Sequence, residues 1–214
     1  TAVGVLAGLT SQGASAVAVG HVAGVTTQGD YAVAIGGSAG NANQNNYATA
    51  VGSTAGYNAQ GENATAVGRL AAEVAQAAGA TAMGLFAGRT SQGISATAVG
   101  HAAGYNQQGA NSVAIGKQAG SANQNNNATA MGINAGYNAQ GGSATAIGNA
   151  AGQVAQGANG VAVGVNAGFN KQGVSAVTIG VNSGVNAQGA NSVAVGDGSG
   201  SASQGAQSVA VGYL

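Results

Sequence analysis

The sequence predicts an all-β protein, a parallel β-solenoid of about 13 coils with a 16-residue repeat. Three observations predict it: a period of 16 that runs through the chain, a β-branched segment followed by glycine in each period, and a glutamine at one fixed position of every period. The 214 residues include 41 Gly, no Pro and no Cys, which is far from an average globular composition.

Glycine marks the period without insertion or deletion. Positions in the repeat are numbered here as columns 1 to 16, with Thr1 in column 1. Column 1 is always Thr or Val, column 2 is Ala except at Thr178, column 3 is Val, Ile or Met, and column 8 is Gly except at Ala72. Fourteen glycines occupy column 4, and we expect them to form structural corners: Gly4, Gly20, Gly36, Gly52, Gly68, Gly84, Gly100, Gly116, Gly132, Gly148, Gly164, Gly180, Gly196 and Gly212.

Columns 1 to 3 predict a short strand, because β-branched residues favour extended backbone and the following Gly permits the positive φ of a corner. Helical repeats are excluded, since glycines in columns 4 and 8 would each weaken a helix by roughly 1 kcal/mol. Side chains alternate across a strand, so columns 1 and 3 share one face. We expect this bulkier face to fill the interior, and the column 2 alanines to face outward as a strip on which another chain packs.

Column 12 is Gln in all thirteen copies. One interpretation is a structural amide ladder, in which each side chain hydrogen-bonds to its copies in the coils above and below. The other is a polar stripe that binds a ligand. The ladder is favoured, because a residue present in every coil meets a need of every coil. Its members are Gln12, Gln28, Gln44, Gln60, Gln76, Gln92, Gln108, Gln124, Gln140, Gln156, Gln172, Gln188 and Gln204.

A longer period shows how the chain is organised. Residues 1–80 and 81–160 match block for block, for example in "TSQG" and "ANQNN", and 161–214 is a partial third copy. The sequence therefore indicates duplication of a five-coil cassette. No linker or shift in composition interrupts it, so we expect residues 1–214 to form one repeat domain.

Charge and motif content exclude several classes of function. Four Lys and Arg balance four Asp and Glu, which does not fit nucleic-acid binding. No apolar run approaches the length of about 20 residues that a membrane span needs, so we expect no membrane insertion by this segment. His21 and His101 lie five coils apart, and no two acids lie in one column of adjacent coils. We therefore expect no catalytic residue, no metal, no cofactor and no enzyme activity.

The segments "NSVAIG" (111–116), "NSVAVG" (191–196) and "QSVAVG" (207–212) resemble the head repeats of YadA-like trimeric autotransporter adhesins. Long arrays of this kind are also similar to repeats of phage and giant-virus fibre proteins. The resemblance implies a left-handed β-roll, three chains intertwined or packed as a homotrimer, and a role in cell adhesion and virulence. The repeat here is longer than that family's usual unit, by an added Gln-Gly.

The leading hypothesis for function is a non-enzymatic structural and adhesive rod, either the head of a trimeric surface adhesin or the shaft of a viral fibre. It places the chain outside the cell, on an outer-membrane-anchored adhesin, or in a virion fibre. Its partners would be copies of itself and a host matrix protein or surface glycan. The alternatives are a self-assembling extracellular filament, because the net charge is zero, and an ice-binding solenoid with a flat Thr and Val face. The expected inward position of column 1 weakens the ice-binding hypothesis.

An aromatic residue followed by Asn recurs in columns 9 and 10. Aromatic rings along one stripe could stack on sugars, or they could pack across a chain interface or over a corner. The candidate ligand stripe consists of Tyr57, Asn58, Tyr105, Asn106, Tyr137, Asn138, Phe169 and Asn170.

Overall fold

The structure is a computed structural model that describes residues 1–213, and it is an all-β solenoid of about 13 turns with parallel strands. The described residues contain 24 strands and no helix. The chain divides into two compact units, residues 1–110 and residues 111–214. Each unit repeats the same coil, so the 16-residue period and the parallel solenoid predicted from the sequence are confirmed. The single repeat domain stays a prediction.

Most coils of the first unit contribute to two sheets, whereas the first two contribute only isolated bridges at Gln12 and Gln28 to the second sheet. Sheet A comes from columns 1 to 3, and its strands are β1 (Ala2–Val3), β2 (Val17–Val19), β3 (Val33–Ile35), β5 (Thr49–Val51), β7 (Thr65–Val67), β9 (Thr81–Met83) and β11 (Thr97–Val99). Sheet B comes from columns 10 to 12, and its strands are β4 (Ala42–Gln44), β6 (Asn58–Gln60), β8 (Val74–Gln76), β10 (Thr90–Gln92) and β12 (Asn106–Gln108).

The second unit repeats this arrangement. Its sheet A strands are β13 (Val113–Ile115), β15 (Thr129–Met131), β17 (Thr145–Ile147), β19 (Val161–Val163), β21 (Val177–Ile179), β23 (Val193–Val195) and β24 (Val209–Val211). Its sheet B strands are β14 (Ala122–Gln124), β16 (Asn138–Gln140), β18 (Val154–Gln156), β20 (Asn170–Gln172) and β22 (Asn186–Gln188).

The register of both sheets stacks each column on itself. In sheet A, Ala34 pairs with Ala50 and Ile35 with Val51, and in sheet B, Gln44 pairs with Gln60. Residues 16 apart in the chain therefore become neighbours at the strand spacing of about 4.8 Å. A feature repeated in consecutive periods becomes a continuous row on the molecule.

The predicted orientation of the sheet A strands is wrong. The column 2 alanines point inward, and Ala34 and Ala50 have no exposed surface. The side chains of columns 1 and 3 point outward, with Ile35 40 % and Met83 44 % exposed. The bulky face of each strand is the outer one, and the small face is the inner one.

The reason is a narrow interior, which columns 2, 7 and 16 line mostly with alanine and column 12 fills with glutamine. The largest fully buried side chains include Gln28, Gln44 and Gln60. A Cβ added to Gly56 would lie 3.2 Å from the Cβ of Ala50 and 2.7 Å from Oε1 of Gln60. Beside Ala50 the two walls are therefore one methyl group and one carboxamide apart. The one larger side chain in column 2 is Thr178, which is also buried.

Most of the turns use left-handed backbone at non-glycine residues, which costs an L-residue roughly 1 to 2 kcal/mol. Val22 in column 6 has φ 59°, whereas Asn134 and Asn166 occupy the same column at φ 57° and 54°. Asn tolerates this conformation better than a β-branched residue does.

We expect Val22→Asn to raise the free energy of unfolding by about 1 kcal/mol and the reciprocal Asn134→Val to lower it by a similar amount. Urea unfolding measures both, and a Val22→Asn protein no more stable than wild type would contradict this reading of the turns.

Candidate functional site

The column 12 glutamines bridge the interior of their own coil. The side-chain amide of Gln60 donates to the carbonyl oxygens of Thr49 at 2.7 Å and Ala64 at 3.2 Å. Thr49 is the first residue of β5 and Ala64 immediately precedes β7, whereas Gln60 is the last residue of β6. The donation to the column 1 carbonyl recurs in all thirteen coils that contain a column 12 glutamine. Each glutamine therefore joins the sheet B side of its coil to the sheet A side by hydrogen bonds.

Bonds between glutamines of neighbouring coils are a second, less regular feature. Gln44 donates to Oε1 of Gln60 at 3.1 Å, and Gln92 donates to Oε1 of Gln108 at 3.1 Å. The Oε1 atoms of Gln44 and Gln76 are buried and accept no hydrogen bond among the described residues. The bridge within the coil thus recurs more regularly than the ladder between coils, and both use the amide N–H groups as donors inside the protein.

The rings of the candidate ligand stripe differ in exposure. Tyr57 is 39 % exposed, while Tyr105, Tyr137 and Phe169 are half-buried. The asparagines that follow them are the first residues of sheet B strands, in which Asn58 pairs with Val74 and Asn138 with Val154. Within residues 1–213, none of these four rings contacts another. The candidate ligand stripe stays a prediction.

Tyr105 belongs instead to a charged aromatic cluster on the first unit. The guanidinium of Arg89 lies over the rings of Phe86 and Tyr105, 5.5 and 5.4 Å from their centroids, and His101 meets the edge of Phe86. Arg89 also donates to the carboxylate of Glu73 and to the hydroxyl of Tyr105. The bond to Glu73, and then that to Tyr105, raises the pKa of Arg89. The polar and aromatic groups of this cluster therefore form their contacts with one another.

Sequence reasoning missed a pair of tyrosines in column 15. The rings of Tyr31 and Tyr47 lie 5.3 Å apart and only 2° from parallel, and they are 55 % and 53 % exposed. The signal was present as two tyrosines 16 residues apart, which the in-register coils make neighbours. This is the most exposed contact between aromatic rings in the described chain.

The outer faces of the two sheets differ in chemistry. Sheet A presents only Thr, Val, Ile and Met from columns 1 and 3, with no charge in either unit. Sheet B presents mainly Asn, Ala, Thr, Ser and Gln, and its residues in column 11 are exposed. Of the two outer sheet faces, that of sheet A is therefore the more hydrophobic, and columns 5 and 14 add exposed apolar side chains such as Ile133 and Val174.

No His, Asp and Glu side chains of the described residues gather in threes as a metal site would require. Over the same residues, no helix is long and apolar enough to cross a membrane. No family model and no curated protein sequence matches the chain, so the resemblance to YadA-like heads and viral fibres remains an expectation.

Proposed function

We propose that this chain is part of a non-enzymatic structural and adhesive rod, the head of a trimeric surface adhesin or the shaft of a viral fibre, that acts outside the cell or on a virion. One observation carries the proposal: the outer face of sheet A is uncharged, consists of Val, Ile, Met and Thr, and is covered by no other part of the described chain. Parallel sheets in proteins are normally covered on both faces. A second copy of the chain is the partner that would cover this one.

The size of the face supports packing between copies. Seven strands in each unit present two side chains each to the outside, over about 30 Å at the usual strand spacing. A strip of that length and two side chains wide reaches several hundred Å², the size at which exposed apolar patches mark interaction sites. The face has no charge, so copies do not repel one another when they pack. The assembly of three chains is taken from the resemblance to YadA-like heads. The need for a partner chain follows from the uncovered outer face of sheet A.

Charges placed on the outer face of sheet A test this proposal. We expect Val51→Lys with Val67→Lys to reduce the assembly to single chains, because each lysine would be buried without a partner at the interface. Both side chains point outward, so the coil itself should fold as before.

The matched control is Ala59→Lys with Ala75→Lys, which adds the same charge to exposed column 11 of sheet B, where Lys171 already occurs. Light scattering gives the molar mass, and circular dichroism checks the fold. Equal masses for wild type, the sheet A variant and the control would overturn the proposal.

A second candidate is ice binding, and one observation now favours it. Thr49, Thr65, Thr81 and Thr97 face outward in four consecutive coils, each two residues before a Val or Met, in register. The objection that column 1 points inward no longer holds. Chain assembly and ice binding would both use the outer face of sheet A, so an ice-binding chain would be monomeric. It would show thermal hysteresis, and Val51→Lys with Val67→Lys would abolish that hysteresis. Hysteresis no greater than that of an inert protein would dismiss this candidate.

A further inference from the structure

The Tyr31 and Tyr47 pair has features of a binding platform. Both tyrosines have left-handed backbone, φ 57° and 59°, in a column that elsewhere holds Ser, Asn, Gly or Gln. A bulky residue there costs of order 1 kcal/mol or more. Both rings are also more than half exposed, so burial does not offset that cost. Neither backbone fit nor core packing explains why tyrosine occupies these two positions.

The stack ends at short side chains on both sides. Backbone bonds join column 15 to the preceding coil, from the N–H of Tyr47 to the carbonyl of Asp30 at 2.9 Å and from that of Asn63 to the carbonyl of Asn46 at 3.1 Å. The next coil beyond Tyr47 therefore places Asn63 in the stack, and the coil before Tyr31 places Ser15 there. Each ring has one face against the other ring and one face toward a short polar residue.

The outer face of each ring can accept one more ring. The neighbouring coil lies about 4.8 Å away, and stacked groups pack at about 3.5 to 4.0 Å. Among residues 1–213, no third aromatic ring and no cation covers either tyrosine. A flat ligand ring lying over Ser15 or Asn63 would continue the stack that Tyr31 and Tyr47 begin.

The polar groups beside the rings define the chemistry of that ligand. Asp30 and Glu62 place two exposed carboxylates in column 14, and Asn46 adds a carboxamide between them. One oxygen of Asp30 accepts the N–H of Ala14 at 2.7 Å, and Oδ1 of Asn46 accepts the N–H of Asp30 at 2.9 Å. The second oxygen of Asp30, the carboxylate of Glu62 and the amide hydrogens of Asn46 point to a ligand rich in hydroxyl groups.

Charge excludes anionic ligands from this position. Columns 14 and 15 of the first four coils contain Asp30 and Glu62 and no Lys or Arg. Phosphates, nucleic acids and acidic sugars would meet two negative charges and no positive one. An uncharged pyranose presents a flat ring face to tyrosine and hydroxyl donors to carboxylates.

We propose that Tyr31 and Tyr47, with Asp30, Asn46 and Glu62, form a binding site for uncharged glycans, in which a pyranose ring stacks on the outer face of the tyrosine pair. The proposal rests on the adhesive part of the proposed function and names its ligand class. It does not depend on the trimer, so its failure and that of the assembly are separable.

Titration of the intact chain with neutral oligosaccharides tests the site. The probes are cellohexaose, maltohexaose and N-acetylchitohexaose, with hexagalacturonate as the anionic comparison. NMR of ¹³C-labelled tyrosine reports each of the six tyrosines. We expect at least one neutral probe to shift the Tyr31 and Tyr47 ring signals and to leave Tyr213 unchanged, while hexagalacturonate shifts neither pair member. Tyr31→Asn with Tyr47→Asn should weaken binding at least about tenfold.

Two features keep this test decisive. Asn already occupies column 15 in Asn63 and Asn127, so the double variant keeps a residue suited to the backbone. Tyr213→Asn removes an exposed tyrosine elsewhere and should bind as wild type does. The proposal is overturned if none of the neutral probes shifts Tyr31 or Tyr47 at about 10 mM, or if the double variant binds as tightly as wild type.

Discussion

Gly36→Ala is expected to prevent stable folding of the chain or to lower its free energy of unfolding by more than about 3 kcal/mol. Gly36 has φ 129°, a conformation that L-residues with a side chain rarely adopt, and an added Cβ would lie 2.7 Å from the carbonyl carbon and oxygen of Gly52. The obstruction is backbone of the next coil, which cannot move aside without shifting sheet A. The unfavourable φ and the contact with the backbone of the next coil both destabilise the folded chain. The loss in free energy of unfolding therefore exceeds that of an ordinary Gly→Ala change.

The neighbouring residue supplies the control for this prediction. A Cβ added to Gly37 would meet no atom within 4 Å, and Gly37 lacks the positive φ of Gly36. We expect Gly37→Ala to be neutral or to stabilise by about 0.5 kcal/mol, since alanine restricts the unfolded chain. Urea or thermal unfolding compares the two. Similar stabilities for Gly36→Ala and Gly37→Ala would show that column 4 does not need glycine.

Gln60→Glu is expected to destabilise the protein strongly at neutral pH and much less under acid conditions. Gln60 is fully buried, and its amide donates to the carbonyl oxygens of Thr49 and Ala64. A carboxylate in its place would face those oxygens without a donor, and we expect a loss of at least about 3 kcal/mol at pH 7. When protonated, the same group regains one O–H donor, and part of the bridge returns.

The sign of the pH dependence follows from burial. Burial and the facing carbonyls would raise the pKa of the introduced Glu above its unfolded value of about 4.3. Its destabilising effect would therefore be smallest below about pH 4 and would grow as pH rises from the unfolded pKa to the folded one. Gln60→Met, similar in shape but not ionisable, should destabilise without this pH dependence. Equal stability of the Gln60→Glu protein at pH 4 and pH 7 would contradict the bridging role.

The sequence predicted the period, the sheet A strands and their register, because one residue pattern recurs without a shift through every coil. It did not predict sheet B. Its strands, such as Asn58–Gln60, have little β propensity and contain left-handed residues such as Ala59 at φ 59°. Their place is fixed by stacking on neighbouring coils and by the glutamine bridge, which are tertiary effects that local propensity does not report.

The inward direction of column 2 was missed for a related reason. The rule that bulky apolar residues fill the interior assumes an interior wide enough to hold them, and here Gln60 and Gly56 limit the space beside Ala50 to a methyl group. An invariant small residue next to an invariant buried amide was the available signal. The Tyr31 and Tyr47 pair leaves no mark on the 16-residue consensus, because column 15 holds tyrosine in only two consecutive coils.

The molar mass of the unmodified chain in solution tests most directly whether copies cover the outer face of sheet A. One chain has a mass of 19.8 kDa. Multi-angle light scattering over about a hundredfold range of concentration separates a stable assembly from weak association. We predict three times the mass of one chain across that range. A mass of 19.8 kDa throughout would contradict the proposed assembly.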